Sequence, residues 1–281
     1  MKLLSYQRDG IASFGAVTGD AVVDLGAALP HCPTLADFIA SPDFARREAI
    51  IDAHPARLPL DALTYLPVIP RPEKVVCVLR NYTDPTAGPD APPPDYPPIF
   101  LRLWRSQVGH RAPVVRPRVS KALDFEGELA VVIGRAGRHI AEADALGHVA
   151  GYSIYNDVSV RDFQRHAGQI TPGKTFADTG PFGPWMVTAD EIEDPHALIL
   201  RTRLNGVEVQ AGSTAQLIFG VPQLIAYCST IFELVPGDVI VTGTPAGAGF
   251  TRTPPLYMTA GDVIEVEIDK IGTLSNPIVD E

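Results

Sequence analysis

Asp124-Phe125-Glu126-Gly127-Glu128-Leu129-Ala130-Val131-Val132-Ile133-Gly134 opens on carboxylates and closes on an apolar, β-branched run that ends in glycine. The second half reads as a strand. Side chains alternate across a strand with period two, which puts Asp124, Glu126 and Glu128 on one face. Carboxylates so placed repel one another, and the apolar run threatens to desolvate them. A bound cation relieves both costs, and an all-oxygen site of this kind suits Mg²⁺, Mn²⁺ or Ca²⁺ better than zinc. The plain alternative is an edge strand with its acidic residues in water.

Working outward, residues 151–164 read Gly-Tyr-Ser-Ile-Tyr-Asn-Asp-Val-Ser-Val-Arg-Asp-Phe-Gln, a strand ending at Asn156-Asp157. A helix start follows, with Ser159 as its expected cap and Asp162 at the third position. Residues 171–183 form a loop punctuated by glycine and proline that carries Lys174. Residues 237–242 are a strand running into Gly243-Thr244-Pro245. That turn lacks the Gly-Lys-Ser/Thr ending of a phosphate loop. Further strands are expected at residues 74–79, 99–104 and 263–269, a hairpin at 198–210 turning on Asn205-Gly206, and an amphipathic helix at 221–234. Residues 1–30 read as short strands and residues 34–56 as helical. The proline passage 67–72 reads as a linker, which divides the chain into a small N-terminal α+β domain (1–70) and a main domain (71–281). Strands dominate and do not alternate regularly with helices, so the fold class is α+β and β-rich, not a doubly wound sheet.

Composition narrows the function. The chain has 281 residues and a formal net charge of −10, which disfavours nucleic acid or an anionic membrane as main partner. Three widely spaced cysteines, Cys32, Cys77 and Cys228, imply no disulfide framework and no zinc-type cysteine pair, so buried thiols in a reducing compartment are expected. The N-terminus does not read as a signal peptide and no apolar run has membrane-spanning length, so a cytoplasmic location is expected.

Residues 124–134, 151–164, 173–176 and 237–250, in this order and spacing, resemble the fumarylacetoacetate hydrolase family in its bacterial short form. The resemblance implies a catalytic domain built as a roll of mixed sheets around a metal site, commonly as a homodimer. It implies Mg²⁺ or Mn²⁺, with Ca²⁺ as an alternative hard ion, held by Glu126, Glu128 and Asp157. It implies a small oxo-acid substrate, with Lys174 near the metal, Arg161 and Gln164 lining the site, and Gly243 and Thr244 holding a carboxylate or oxo group. Tyr82 and Arg102 are expected beside the substrate, and Arg102, Trp104 and Arg105 as selectivity elements. The structural alternative for Arg161 is a salt bridge with Asp162.

Two places depart from the pattern: after Lys174-Thr175-Phe176, where many relatives have aspartate, this chain has Ala177 with Asp178 one place on, and a second stretch bears on the reaction. Hydrolytic relatives carry Asn-Tyr-x-x-His-x-x-Glu, whose histidine and glutamate activate water; here those places are Pro85 and Gly88, neither of which accepts a proton. A general base is worth ~10²–10⁴-fold in rate. His110 and His166 are the candidate substitutes. Hydrolytic C–C cleavage of a 1,3-diketo acid therefore has a rival: decarboxylation or tautomerisation of a 2-oxo acid through a metal-stabilised enolate. A non-catalytic oxo-acid-binding member is the third reading.

Overall fold

The computed structural model describes residues 1–83 and 93–281; Pro85 and Gly88 lie outside the described residues. The fold is the β-rich α+β class expected, organised around a twelve-stranded sheet and a five-stranded sheet. Gly127–Ile133 lies inside the large sheet, between Val149–Asn156 and Val239–Val241, antiparallel to both. Its apolar run is buried on both faces. Leu129, Val131 and Ile133 pack with Leu200, Val266, Ile268 and Leu274 of the five-stranded sheet. Ala130 and Val132 pack with Val23, Leu35 and Phe38 from the N-terminal residues. A strand covered on both sides has no need of a polar face, which is why the run is continuous rather than alternating.

Gly127 is required by that packing. A Cβ there would lie 2.4 Å from Thr202 Oγ1 and 2.8 Å from a methyl of Val266, so only glycine lets the two sheets meet beside the acidic residues.

Across residue 70 the sheet and core are continuous. Lys2–Arg8 pairs with Gly180–Thr188, and Leu3 and Phe14 share a core with Val75, Ala130 and Val241. The proline passage thus joins segments that share one hydrophobic layer. Asn205 and Gly206 take positive φ, 52° and 78°, and turn the chain between Ile199–Leu204 and Val207–Ser213 as the Asn-Gly signal requires. The expected amphipathic helix forms over Val221–Ile231, burying Val221, Leu224, Ile225 and Cys228.

Candidate active site

The acidic stretch is not one strand. Leu123–Asp124 pairs with Ser159–Val160 in a separate two-stranded ladder, and regular pairing resumes only at Gly127. Strand alternation therefore does not aim Asp124 with the two glutamates. Its Oδ1 accepts from the backbone N–H of Phe125 and Gly249, and its Oδ2 accepts from Phe250 N–H and Arg161 Nε. Asp124 is fully spent on holding the 249–250 turn and Arg161.

Glu126, Glu128 and Asp157 do converge. Each offers a carboxylate oxygen, and these oxygens lie within 4.8 Å of one another. Strand pairing explains the convergence. Gly127 faces Asn156 across the ladder, Asn156 Oδ1 accepts from Glu126 N–H at 2.9 Å, and Asp157 N–H donates to Glu126 O at 2.8 Å. Both chain ends are thus tied at the point where their carboxylates emerge.

Three cations serve this cluster. Lys174, completely buried, donates from Nζ to Glu126 Oε2 and to Asp157 Oδ2, each at 2.5 Å. Arg161 donates to Glu126 Oε1 at 2.5 Å and Asp124 Oδ2 at 2.8 Å, and its Nη1 to Gln164 Oε1 at 2.9 Å. Arg102 donates to Asp157 Oδ1 at 2.5 Å. Burial works against the Lys174 charge, but Asp157 and Glu126 outweigh it and raise its pKa above the usual lysine value. Burial likewise penalises the Asp157 carboxylate, and Lys174 and Arg102 reverse the balance and hold its pKa down.

Glu128 is left over. Its Oε2 accepts from Gly243 N–H. Burial, then the charges of Asp157 and Glu126, push its pKa well above the glutamate range. Among the described residues, four buried carboxylates (Asp124, Glu126, Glu128, Asp157) meet three buried cations (Arg102, Arg161, Lys174), so with all four carboxylates ionised one negative charge has no partner. That is the charged form that the raised Glu128 pKa disfavours. A hard divalent cation fits that donor set and that deficit.

Arg102 is buried and turned into the carboxylate cluster. Its other donors go to Val158 O, Thr179 Oγ1 and Ser106 Oγ, so its guanidinium is consumed in fixing Asp157. The guanidiniums of Arg71 and Arg105 lie 5.2 and 4.5 Å from the Trp104 ring. Arg161 pairs with Asp124 and Glu126, not with Asp162, which accepts from Ser120 Oγ instead. Ser159 does not cap the short Arg161–Gln164 helix; its hydroxyl donates to Asp157 O. His110 packs edge-on against Tyr65 and its Nδ1 accepts from Ser275 N–H. His166 stacks on Phe163. Among the described residues neither makes a hydrogen bond or ion pair to the carboxylate cluster.

Gly243, at φ 105°, brings its N–H to Glu128, and a Cβ there would lie 2.8 Å from Asn81 Cβ. Thr244 Oγ1 donates to Gly127 O and accepts from Gln210 Nε2. Tyr82 is buried with its hydroxyl unpartnered among the described residues, and burial raises its pKa, with the Glu128 charge adding to the effect. Gln210 was not expected. From the far hairpin it accepts from Gly127 N–H and donates to Thr244 Oγ1 and Pro245 O. Asn81 ties the same turn, donating to Thr242 O and Phe219 O. Only Asn81, beside Tyr82, had a sequence signal.

Residues 74–279 match the family model described as fumarylacetoacetate (FAA) hydrolase C-terminal. The chain belongs to the fumarylacetoacetate hydrolase family. It is an enzyme of that family by its relatives as well. It is 42% identical over 290 residues to the Homo sapiens protein named oxaloacetate tautomerase FAHD2A, mitochondrial, covering 99% of this chain and 92% of the human one. Among solved family structures, it is similar to a fumarylacetoacetate hydrolase from psychrophilic Exiguobacterium antarcticum (35% identity, TM-score 0.87, all of both chains). It is also similar to maleylpyruvate hydrolase from Sphingobium sp. SYK-6, solved with manganese(II) and pyruvate (28% identity, TM-score 0.83, 100% of this chain and 99% of that one). The human relative is mitochondrial by name, which a plainly cytoplasmic expectation does not match. Among the described residues no helix is long and apolar enough to cross a membrane.

Proposed function

We propose that this enzyme interconverts the keto and enol forms of a 2-oxo dicarboxylate of the oxaloacetate type. The observation that carries the reading is a centre with its carboxylates and lysine in place beside a sequence that has Pro85 and Gly88 where water would be activated. A keto–enol exchange needs charge stabilisation and a proton, but no attacking water. The human relative's name supports this reaction more directly than hydrolysis.

Glu126, Glu128 and Asp157 would hold Mg²⁺ or Mn²⁺, with Ca²⁺ acceptable to the same oxygens. When bound, the ion supplies Lewis-acid stabilisation of the enolate oxygen. Lys174 is a fixed positive charge beside that centre, kept protonated by its two carboxylates. Arg161 orients Glu126 and Gln164 together and is shielded by the Phe250 ring, 4.2 Å away. Arg102 keeps Asp157 from turning. By family resemblance the substrate's carboxylates would lie against the Gly243–Thr244 turn, which Gln210 and Asn81 tie in place. A homodimer accompanies this reading by family resemblance and is measured by light scattering on the eluted protein.

The test uses the enzyme stripped of metal and reloaded with Mg²⁺ or Mn²⁺. Oxaloacetate and several acylpyruvates are offered while enol absorbance, CO₂ and pyruvate are followed. Enol relaxation without CO₂ or pyruvate supports the proposal. Pyruvate with a second acid means hydrolysis, and CO₂ means decarboxylation; either as the main metal-dependent signal overturns it.

A further inference from the structure

A second set of ligating side chains lies in the N-terminal residues, apart from the carboxylate centre. His31, Cys32 and Asp43 each present one ligand atom, within 4.8 Å of one another. The donors are an imidazole nitrogen, a thiol sulfur and a carboxylate oxygen, a borderline-soft set unlike the all-oxygen centre. We propose that His31, Cys32 and Asp43 form a zinc-class metal site, with water completing a tetrahedron.

Local structure holds the donors in place. Cys32 N–H donates to Leu29 O at 2.8 Å, and Cys32 is 2% exposed. Thr34 and Asp37 form a reciprocal cap on the Leu35–Ala40 helix, which spans the gap between the two ligand segments. Asp43 N–H donates to Ser41 Oγ at 3.2 Å, fixing the next turn. His31 Nε2 already lies 2.8 Å from Asp43 Oδ2, while Arg46 pairs with the other oxygen, Oδ1. The arginine therefore leaves Oδ2 for the ion and orients the carboxylate from behind. His31 is largely exposed, so the open position faces solvent. Tetrahedral zinc, with bonds of about 2.0–2.3 Å, needs ligand atoms roughly 3.5 Å apart. Binding would draw the three donors of the present cluster that much closer together. Binding replaces the His31–Asp43 contact and the S–H bond of Cys32 by bonds to the ion, and the thiol proton leaves to solvent.

The thiolate gives a signature that the carboxylate centre lacks. Full-length protein is titrated with Co²⁺ as the spectroscopic stand-in for zinc, then with Zn²⁺ to displace it. A sulfur-to-cobalt charge-transfer band in the near ultraviolet, with strong tetrahedral bands in the visible, is the expected result. Both persist in Glu128→Ala and in Cys77→Ser, the latter controlling for a buried thiol that feels the charges of Asp157 and Glu128. Both vanish in Cys32→Ser. The exposed His31→Ala variant keeps the test independent of a buried substitution: it weakens zinc binding by roughly tenfold or more, the scale on which even supporting residues of zinc sites act. Absence of the sulfur band in wild type, or its survival in Cys32→Ser, overturns the proposal, as does unchanged affinity in His31→Ala.

Discussion

Replacing Lys174 by methionine keeps the length of the side chain and removes its charge. Nζ stands 2.5 Å from a carboxylate oxygen of Glu126 and of Asp157. At an effective dielectric of about 20, one unit pair at that distance is worth roughly 6–7 kcal/mol. Against two such attractions stands the cost of burying an ammonium with no solvent exposure. Removing one partner of a buried ion pair typically costs about 3–5 kcal/mol net. Arg102 and Arg161 still hold the outer oxygens of Asp157 and Glu126, so the lower end of that range, ~3 kcal/mol, is expected. The loss should depend on metal. In chelator the variant carries one more uncompensated negative charge than wild type. A divalent ion supplies that charge, and Mn²⁺ at about 100 times the wild-type Kd adds ~2.7 kcal/mol to wild type, the same concentration being used for the variant. Tighter binding to the variant makes its gain the larger. Urea unfolding with chelator and with Mn²⁺ gives the four free energies. Turnover in Mn²⁺ should still fall ~10²–10³-fold, the usual scale for losing one electrostatic stabiliser. A loss under about 1 kcal/mol in chelator, or equal Mn²⁺ stabilisation of both proteins, would refute the reasoning.

Gly243→Ala forces a Cβ into a left-handed position 2.8 Å from Asn81 Cβ; a cost of about 1–3 kcal/mol in urea unfolding and weaker Mn²⁺ binding through Glu128 are expected. Arg161→Lys cannot reproduce the fork onto Asp124 and Glu126, so kcat should drop by roughly tenfold or more with the fold intact by circular dichroism. Burial, with the neighbouring Arg111 charge, pushes the His110 pKa down to about 4. The unfolded chain takes up that proton first, near pH 6.5, so the contribution is whole above that pH and is lost as pH falls toward about 4. A decline of roughly 3 kcal/mol over that window, flattened in His110→Gln, is expected in pH-dependent urea unfolding.

The sequence by itself determined the class of fold, the family and the convergence of Glu126, Glu128, Asp157 and Lys174. Local rules suffice there: an apolar run for a buried strand, Asn205-Gly206 for a hairpin, a chain of ordered motifs for the family. It also shows that residues 85 and 88 are proline and glycine, neither of which accepts a proton, because residue identity needs no coordinates. Tertiary structure alone decided the electrical partners. Arg102 is tied to Asp157, 55 residues on, a pairing that no local rule announces. Asp124, in phase with the glutamates along the chain, leaves their face because its ladder is with Ser159–Val160. Gln210 reaches the turn at Thr244 from a different sheet. The linker reading at residues 67–72 could not foresee that Lys2–Arg8 joins the large sheet beside Gly180–Thr188. Periodicity and turn chemistry report on a residue's near neighbours, whereas charge pairing and sheet order are settled by segments tens to hundreds of residues away, which meet only when the core closes. The acidic stretch shows both limits: its composition announces a cation, and only the folded chain shows that three cations of its own already stand around it and leave one charge to be met.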